Sequence, residues 1–165
     1  MLEYGAATGL LGFALHPLVA DVVLADVSLE MLAAADEKIA AGRLHKARTL
    51  LLDFTSAPPR DAAFDVVCTF MTLHHAPDTD ALLRAFHDAL SSGGFVCIAD
   101  LDREDGSFHG PGFTGRTGFD GSELRAMLER NGFRDVRLET VFEVTRATAS
   151  GPRAFPVLLA TAVRT

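Results

Sequence analysis

Five short apolar runs alternate with amphipathic helical segments through the first 100 residues of this chain. The runs are Met1–Tyr4, Val22–Asp26, Arg48–Asp53, Phe64–Phe70 and Phe95–Asp100. Runs that are apolar on both faces are typical of parallel strands covered by helices on each side of a sheet. Because parallel neighbours need right-handed crossover connections, the pattern predicts a doubly wound α/β sheet.

Helices are expected over four segments, Gly9–Leu15, Ser28–Ala41, Asp80–Leu90 and Ser122–Asn131. Ser28 is placed to cap the second helix, and Ser91–Gly94 follows the third as a turn. Asp120 and Glu123 are spaced like a capping box at the start of the fourth helix. These capping and turn residues therefore predict where the helices begin and end.

The last part of the chain changes character. The runs Phe133–Val144 and Phe155–Val163 are joined by Thr145–Arg153, which is too short to hold a useful helix. Such a pair predicts an antiparallel hairpin, so the sheet is expected to be mixed at its C-terminal end.

Composition limits the class of protein. A chain of 165 residues, 48% hydrophobic, predicts one globular domain over residues 1–165. The net charge of −7 and the scattered basic residues argue against a nucleic-acid partner. No apolar run approaches membrane length and no signal peptide is seen, so we expect a cytoplasmic monomer or homodimer. Cys68 and Cys97 are interpreted as buried thiols, and the histidine spacing predicts no metal site.

Polar residues follow all five apolar runs. The five groups are Glu3–Gly9, Asp26, Asp53-Phe54, Thr69–His75, and Asp100 with the loop behind it. In an open parallel sheet, ligands bind beyond the carboxyl ends of the strands, where the strand order reverses. Their common position therefore predicts one binding site.

Each group suits part of a nucleotide-type cofactor. The turn Gly5–Gly9 lets the backbone approach a ligand closely. Asp26 lies 21 residues past Gly5, a distance typical of an acid that accepts hydrogen bonds from ribose hydroxyls. Asp53 is a candidate for the adenine amine, with the Phe54 backbone N–H facing the ring. With no Walker lysine, with a carboxylate at the turn and with no basic residue expected nearby, a pyrophosphate is disfavoured.

These motifs resemble those of class I S-adenosylmethionine-dependent methyltransferases. Leu2–Gly9 is similar to motif I, Leu24–Ser28 to the acidic second motif, and Asp53-Phe54 to the adenine-reading position. Phe64–Val67 through Leu73–Asp78 is similar to the fourth motif. The resemblance implies a Rossmann-like three-layer sandwich with a mostly parallel seven-stranded sheet. It also implies methyl transfer from S-adenosylmethionine to a small-molecule acceptor. The implied cofactor contacts are Glu3, Gly5, Ala6, Ala7, Gly9, Asp26, Val27, Met31, Asp53, Phe54, Phe70 and His75.

Two departures from the family pattern stand out. Ala7 occupies the place of the middle glycine of motif I and adds a methyl group beside the cofactor. The family also has a helical segment before motif I, which is not found ahead of Met1. We therefore expect cofactor binding more firmly than efficient catalysis.

The acceptor side has fewer signals. A hydroxyl or protonated amine acceptor needs a base, and His75 and His109 are the candidates, with His74 and Asp100 as further possibilities. The glycine-rich segment Leu101–Asp120 is long enough to be a substrate loop, with a disordered loop as the alternative. Histidines at strand ends are also common structural residues.

Two other functions remain open at this point. A nicotinamide-dependent oxidoreductase shares the ribose acid, but Gly5, Gly9 and Gly12 do not match the Gly-x-Gly-x-x-Gly spacing. A non-catalytic cofactor-binding or scaffold domain would keep the sheet without turnover.

Overall fold

The computed structural model describes residues 1–54 and 63–165 and builds one sheet of seven strands from them, in the order β3-β2-β1-β4-β5-β7-β6. The strands are β1 Leu2–Tyr4, β2 Val22–Asp26, β3 Ala47–Leu51, β4 Phe64–Phe70, β5 Leu90–Leu101, β6 Phe133–Thr148 and β7 Gly151–Arg164. The first five pair in parallel, and β7 runs antiparallel to both β5 and β6. The predicted doubly wound, mostly parallel sheet is confirmed.

The C-terminal hairpin is longer than predicted. The segment Thr145–Arg153 is mostly paired, with Thr145 opposite Ala154 and Thr148 opposite Gly151. The backbone turns only at residues 149 and 150, and Gly151 follows with a φ of +107°. Because glycine adopts this φ without steric strain, the turn needs only two residues and both strands extend up to it.

In the described part of the chain, four α-helices accompany these strands: α1 Leu10–Leu15, α2 Leu29–Gly42, α3 Thr79–Ala89 and α4 Gly121–Arg130. Ser28 caps α2 by accepting a hydrogen bond from the Met31 N–H. Asp120 caps α4 through the N–H groups of Ser122 and Glu123. The predicted capping box is only half formed, because the Glu123 carboxylate pairs with two arginines rather than turning back.

The prediction of a helix to Leu90 and a free turn over Ser91–Gly94 was wrong in detail. Leu90 is the first residue of β5 and pairs with Phe64, after which the register shifts so that Phe95 faces Val66. A Cβ on Gly94 would lie 2.9–3.1 Å from three backbone carbonyl oxygens, including that of Phe64. Glycine therefore lets this segment remain against β4 instead of turning away.

The central strands are buried on both faces, and the two edge strands are more exposed. Leu2, Leu24 and Val67 of β1, β2 and β4 are almost fully buried. Cys68 and Cys97 face each other across β4 and β5 as free thiols, and burial raises the pKa of both. Within the part of the chain that is described, no helix has the length and apolar character needed to cross a membrane.

Candidate functional site

The candidate site lies where the strand order of the sheet reverses. β1 has β2 on one side and β4 on the other, so the strand order runs outward from β1 in both directions. The carboxyl ends of these strands carry the turn Gly5–Gly9, Asp26 and the segment after Phe70. This is the crevice in which open α/β sheets bind ligands.

The turn Gly5–Gly9 has a backbone that suits small residues. Gly5 and Gly9 have φ angles of +71° and +81°, and Ala7 has a φ of +45°. A Cβ on Gly5 would lie 2.3 Å from Thr72 Cγ2, so this glycine keeps the turn against the segment after β4. Ala7 adopts a left-handed conformation that favours glycine, which explains why the substitution at the middle glycine position adds strain.

Asp26 ties β2 to this turn. Its Oδ2 accepts a hydrogen bond from the Ala7 N–H at 2.7 Å, and its Oδ1 accepts one from the Ser28 N–H at 2.9 Å. A carboxylate offers about four lone-pair sites, so both oxygens can also accept from ribose hydroxyls. The geometry fits the predicted role and holds the carboxylate at the mouth of the crevice.

The expectation of no basic residue near the turn was wrong. Lys38 Nζ, on α2, donates a hydrogen bond to the Thr8 carbonyl oxygen at 2.9 Å. Sequence spacing missed this lysine because the contact joins positions 30 residues apart. It places one positive charge beside the turn, and no P-loop motif accompanies it.

Glu3, on β1, is buried and binds the first turn of α1, directly after the glycine turn. The side chain is 3% exposed, and its Oε2 accepts a hydrogen bond from the Gly12 N–H at 2.8 Å. Gly12 belongs to the first turn of α1, whose N-cap residue Gly9 has no side chain to perform this task. Burial raises the pKa of Glu3 to about 7, and the hydrogen bond from Gly12 limits that rise. A direct contact of Glu3 with the cofactor stays a prediction.

The segment after β3 is held by aromatic packing. The Phe54 ring lies 5.0 Å from the Tyr4 ring and 5.4 Å from the Phe86 ring, centroid to centroid. Asp53 lies close enough to raise the pKa of the Tyr4 hydroxyl, an effect second to that of burial, while a hydrogen bond from the Phe54 backbone opposes it. The Phe54 side chain is therefore a core residue, and its backbone hydrogen bond goes to the Tyr4 hydroxyl.

Two predicted contacts form an exposed apolar edge beyond β2. Val27 is 60% exposed and Met31 is 41% exposed, although both are apolar. Exposed apolar side chains beside a polar crevice suit the flat face of a ligand ring. Ala6, by contrast, is buried and its N–H binds the Ala25 carbonyl oxygen.

Phe70 ends β4 and has a partner that sequence analysis did not indicate. Its ring stacks on that of Phe142 from β6, with centroids 6.0 Å apart. Phe142 is 41% exposed, so the pair leaves an apolar surface open beside the end of β4. The sequence did not indicate this pair, because the mostly exposed pattern of β6 gives no sign that one of its side chains contacts β4.

Three histidines meet at the carboxyl ends of β4 and β5. His74 and His75 lie in a short 3-10 turn, Leu73–His75, and His109 comes from the segment Leu101–Asp120. His74 Nε2 and His109 Nε2 are 2.9 Å apart, and the rings of His74 and His75 have centroids 4.1 Å apart. The structure thus brings the two predicted base candidates, His75 and His109, to one place around His74.

Asp100 fixes the orientation of His74. Its Oδ1 lies 2.5 Å from His74 Nδ1, and the same carboxylate accepts hydrogen bonds from the backbone N–H groups of His74 and Leu101. Both side chains are almost fully buried. The acceptor partner assigns the proton of His74 to Nδ1, so its Nε2 lone pair faces His109.

Partial desolvation and neighbouring imidazoles favour the neutral form of the other two histidines. Loss of some hydration, although neither ring is buried, lowers the pKa of His75 and of His109, and the adjacent His74 lowers both further. His75 is exposed and His109 is half-buried, so both rings remain within reach of a ligand. Neutral imidazoles offer lone pairs for a proton or a metal ion.

The segment Leu101–Asp120 packs over this edge of the sheet through hydrogen bonds and ring contacts. The Arg116 N–H donates to the His74 carbonyl oxygen at 2.8 Å, and Phe113 stacks on His109 at 3.9 Å between ring centroids. Its two ends are joined by hydrogen bonds from Arg103 to Phe119 and from Glu104 to Thr117. These contacts favour a packed segment over the disordered alternative, and its role as a substrate loop stays a prediction.

A cavity of about 580 Å³ opens at the opposite edge of the sheet, where the strands begin. Its lining includes Asp21, His45, Lys46 and Asp65. Ligands of parallel sheets bind at the carboxyl ends of the strands rather than where the strands begin. The candidate site is therefore the one at the turn and the histidines.

Fold and site together define a Rossmann-like protein of the class that binds S-adenosylmethionine. The profile of the methyltransferase domain family matches residues 1–94. The chain belongs to this family, the class I S-adenosylmethionine-dependent methyltransferases. The match includes the turn, Asp26, Asp53 and the histidines of the 3-10 turn.

Similar proteins support the family assignment. An uncharacterized methyltransferase of Schizosaccharomyces pombe is 28% identical over 117 residues, which cover 67% of this chain and 41% of that protein. Phosphoethanolamine N-methyltransferase 1 of Triticum aestivum is 33% identical over 119 residues, 69% of this chain and 24% of that protein. This chain therefore spans less than half the length of these curated relatives.

A solved structure shows the same fold. It is phosphoethanolamine N-methyltransferase 2 of Haemonchus contortus, in complex with phosphomonomethylethanolamine and S-adenosylhomocysteine. It aligns with this chain with a TM-score of 0.79. The alignment covers 99% of this chain and 48% of that chain, with 17% sequence identity. None of these findings supports the nicotinamide-dependent alternative.

Proposed function

We propose that this protein transfers a methyl group from S-adenosylmethionine to a small-molecule acceptor. One observation carries the proposal most directly: the Ala7 N–H binds Asp26, which joins the glycine-rich turn and the ribose acid into one crevice. Thr72 contacts the turn at Gly5, and the histidine cluster begins two residues further along the chain. We assign the turn and Asp26 to the cofactor and the histidines to the acceptor.

The cofactor side divides among the residues described above. The close approach at Gly5 and Gly9 suits the methionine part of the cofactor, and Asp26 suits the ribose. Val27 and Met31 flank the adenine ring, and Asp53 reads its edge. These assignments extend the sequence predictions and rest on positions at the mouth of the crevice.

S-adenosylmethionine, held by the turn Gly5–Gly9 and Asp26, would supply an activated methyl group to the acceptor and would leave as S-adenosylhomocysteine. The chain contributes alignment and exclusion of water. For a hydroxyl or protonated amine acceptor, His75 or His109 takes the proton that the acceptor loses, because both imidazoles are neutral.

Phosphoethanolamine is the first acceptor to test, because it is named for both the wheat and the Haemonchus proteins. The proposal also includes a cytoplasmic location, no nucleic-acid partner and a monomeric or homodimeric state. The net charge of −7 supports the absence of a nucleic-acid partner.

The test is a methyl-transfer assay that follows S-adenosylhomocysteine formation by mass spectrometry with phosphoethanolamine, simple phenols and thiols. We expect turnover with at least one acceptor. For a hydroxyl or amine acceptor, His75→Ala and His109→Ala should each lower kcat by roughly 10²–10⁴-fold. The matched control His45→Ala removes an exposed histidine far from the site and should leave kcat unchanged. Cofactor binding without turnover on any acceptor would favour the scaffold alternative.

A further inference from the structure

The histidine cluster has the composition of a metal site. The ligating nitrogens of His74, His75 and His109 all lie within 4.8 Å of one another. In residues 1–54 and 63–165, no other group of three or more metal-ligating side chains is this compact. We propose that these three histidines bind a divalent transition-metal ion, with Zn²⁺ as the reference ion.

His74 is oriented for this role. Its Nδ1 is held by Asp100 at 2.5 Å, and Asp100 is itself fixed by two backbone N–H groups. A carboxylate that binds the far nitrogen of a histidine is the usual outer partner of a metal-ligating imidazole. The arrangement leaves Nε2 of His74 as the ligand atom and fixes its direction.

His109 faces the same point from the opposite side. Its Nε2 lies 2.9 Å from His74 Nε2, a distance at which the two nitrogens share one proton. Zinc–nitrogen bonds of about 2.0–2.1 Å place two tetrahedral ligands about 3.3 Å apart. A shift of a few tenths of an ångström therefore lets an ion replace that proton.

His75 completes the set and leaves one side open. Its ring centroid lies 4.1 Å from that of His74 and 5.1 Å from that of His109. Because His75 is exposed, a fourth coordination position faces solvent and the acceptor space. Three protein ligands with one open position are typical of catalytic rather than structural zinc sites.

The donor set determines which ions fit. Three imidazoles without thiolate or carboxylate ligands suit Zn²⁺, Co²⁺, Ni²⁺ or Cu²⁺ and disfavour Mg²⁺ and Ca²⁺. A bound ion would use the lone pairs of His75 and His109, so it would replace them as the group that activates the acceptor. The binding site itself does not depend on the proposed methyl transfer.

The experiment is a titration of the tag-free, chelator-stripped protein with Co²⁺, followed by visible absorption, and with Zn²⁺, followed by calorimetry. We expect one ion per chain, tetrahedral Co²⁺ bands, displacement of Co²⁺ by Zn²⁺, and no heat with Mg²⁺. His109→Ala should weaken Zn²⁺ binding at least about tenfold, since removal of an outer partner alone costs about 10–100-fold. His45→Ala, which removes one exposed histidine elsewhere, should bind as the unmodified protein does.

Two outcomes would overturn the proposal: no Zn²⁺ binding by the unmodified protein, or equal Zn²⁺ affinity in the His109→Ala protein. S-adenosylhomocysteine binding, measured on the same samples, reports the cofactor site separately and shows that each variant is folded. A failure of metal binding with intact cofactor binding would leave the proposed function standing.

Discussion

At Glu3 a buried carboxylate accepts the Gly12 N–H inside the first turn of α1. A Cβ on Gly12 would lie 2.6 Å from Glu3 Oε2 and 2.3 Å from Leu24 Cδ2, so the fit has no spare room. The glycines that let the turn approach a ligand cannot cap the helix behind it. Glu3 supplies that cap from the preceding strand, and its burial raises its pKa to about 7 from an ordinary value of 4.5.

This raised pKa makes folding stability depend on pH. Between pH 4.5 and about 7, Glu3 is more protonated in the folded state than in the unfolded state. The contribution of Glu3 to the free energy of unfolding is therefore fully present below pH 4.5 and is lost as the pH rises through about 7. The shift corresponds to roughly 3 kcal/mol. Glu3→Gln keeps an acceptor for Gly12 and removes the titration.

Urea unfolding at several pH values checks this prediction. The stability of Glu3→Gln relative to the unmodified protein should rise by about 3 kcal/mol between pH 4.5 and pH 8. The comparison cancels the other acids, whose lowered pKa values act in the opposite direction. Parallel pH profiles for the two proteins would contradict it.

At the scale of elements, the segment Leu101–Asp120 depends on the junction of its two ends. Asp102 and Phe119 form a bridge there, and Gly118 has a φ of +79° with a would-be Cβ only 2.2 Å from the Asp102 carbonyl oxygen. The junction fixes where the segment crosses the sheet and therefore where His109 lies.

Gly118→Ala should open this junction, because it adds a backbone clash to the strain of a left-handed alanine. The matched control is Gly112→Ala, which has a φ of +89° but no atom within 4 Å of its Cβ. We expect Gly118→Ala to be less stable than the control by about 1–3 kcal/mol in thermal or urea unfolding. Equal stability of the two variants would show that the junction does not constrain the segment.

At the scale of the whole molecule, the sequence predicted the sheet well because its information is local. Apolar runs such as Val22–Asp26 and caps such as Ser28 depend on residues close in the chain. The long hairpin and the shift at Leu90 were mispredicted because pairing partners, rather than local patterns, decide where those strands begin and end.

The site was predictable to the extent that it follows strand ends. Gly5, Asp26 and Asp53 are found at the expected edge, whereas Lys38 and Phe142 come from distant elements with no motif to mark them. The histidine cluster joins positions 35 residues apart, so a search for metal-ligand spacing could not find it. Tertiary folding creates these contacts, and only the structure shows them.

The central claim is that Asp26 and the adjoining turn form an S-adenosylmethionine site. The most direct measurement is calorimetric titration with S-adenosylhomocysteine of the unmodified protein, Asp26→Ala, and the charge-matched control Asp88→Ala, an exposed acid at the far end of α3. We predict one site per chain, unchanged in Asp88→Ala and weakened by about 2–4 kcal/mol in Asp26→Ala, or roughly 30- to 1,000-fold, because two hydrogen bonds to a charged acceptor are lost. Equal affinity in all three proteins, or binding of NADH in place of S-adenosylhomocysteine, would contradict the account.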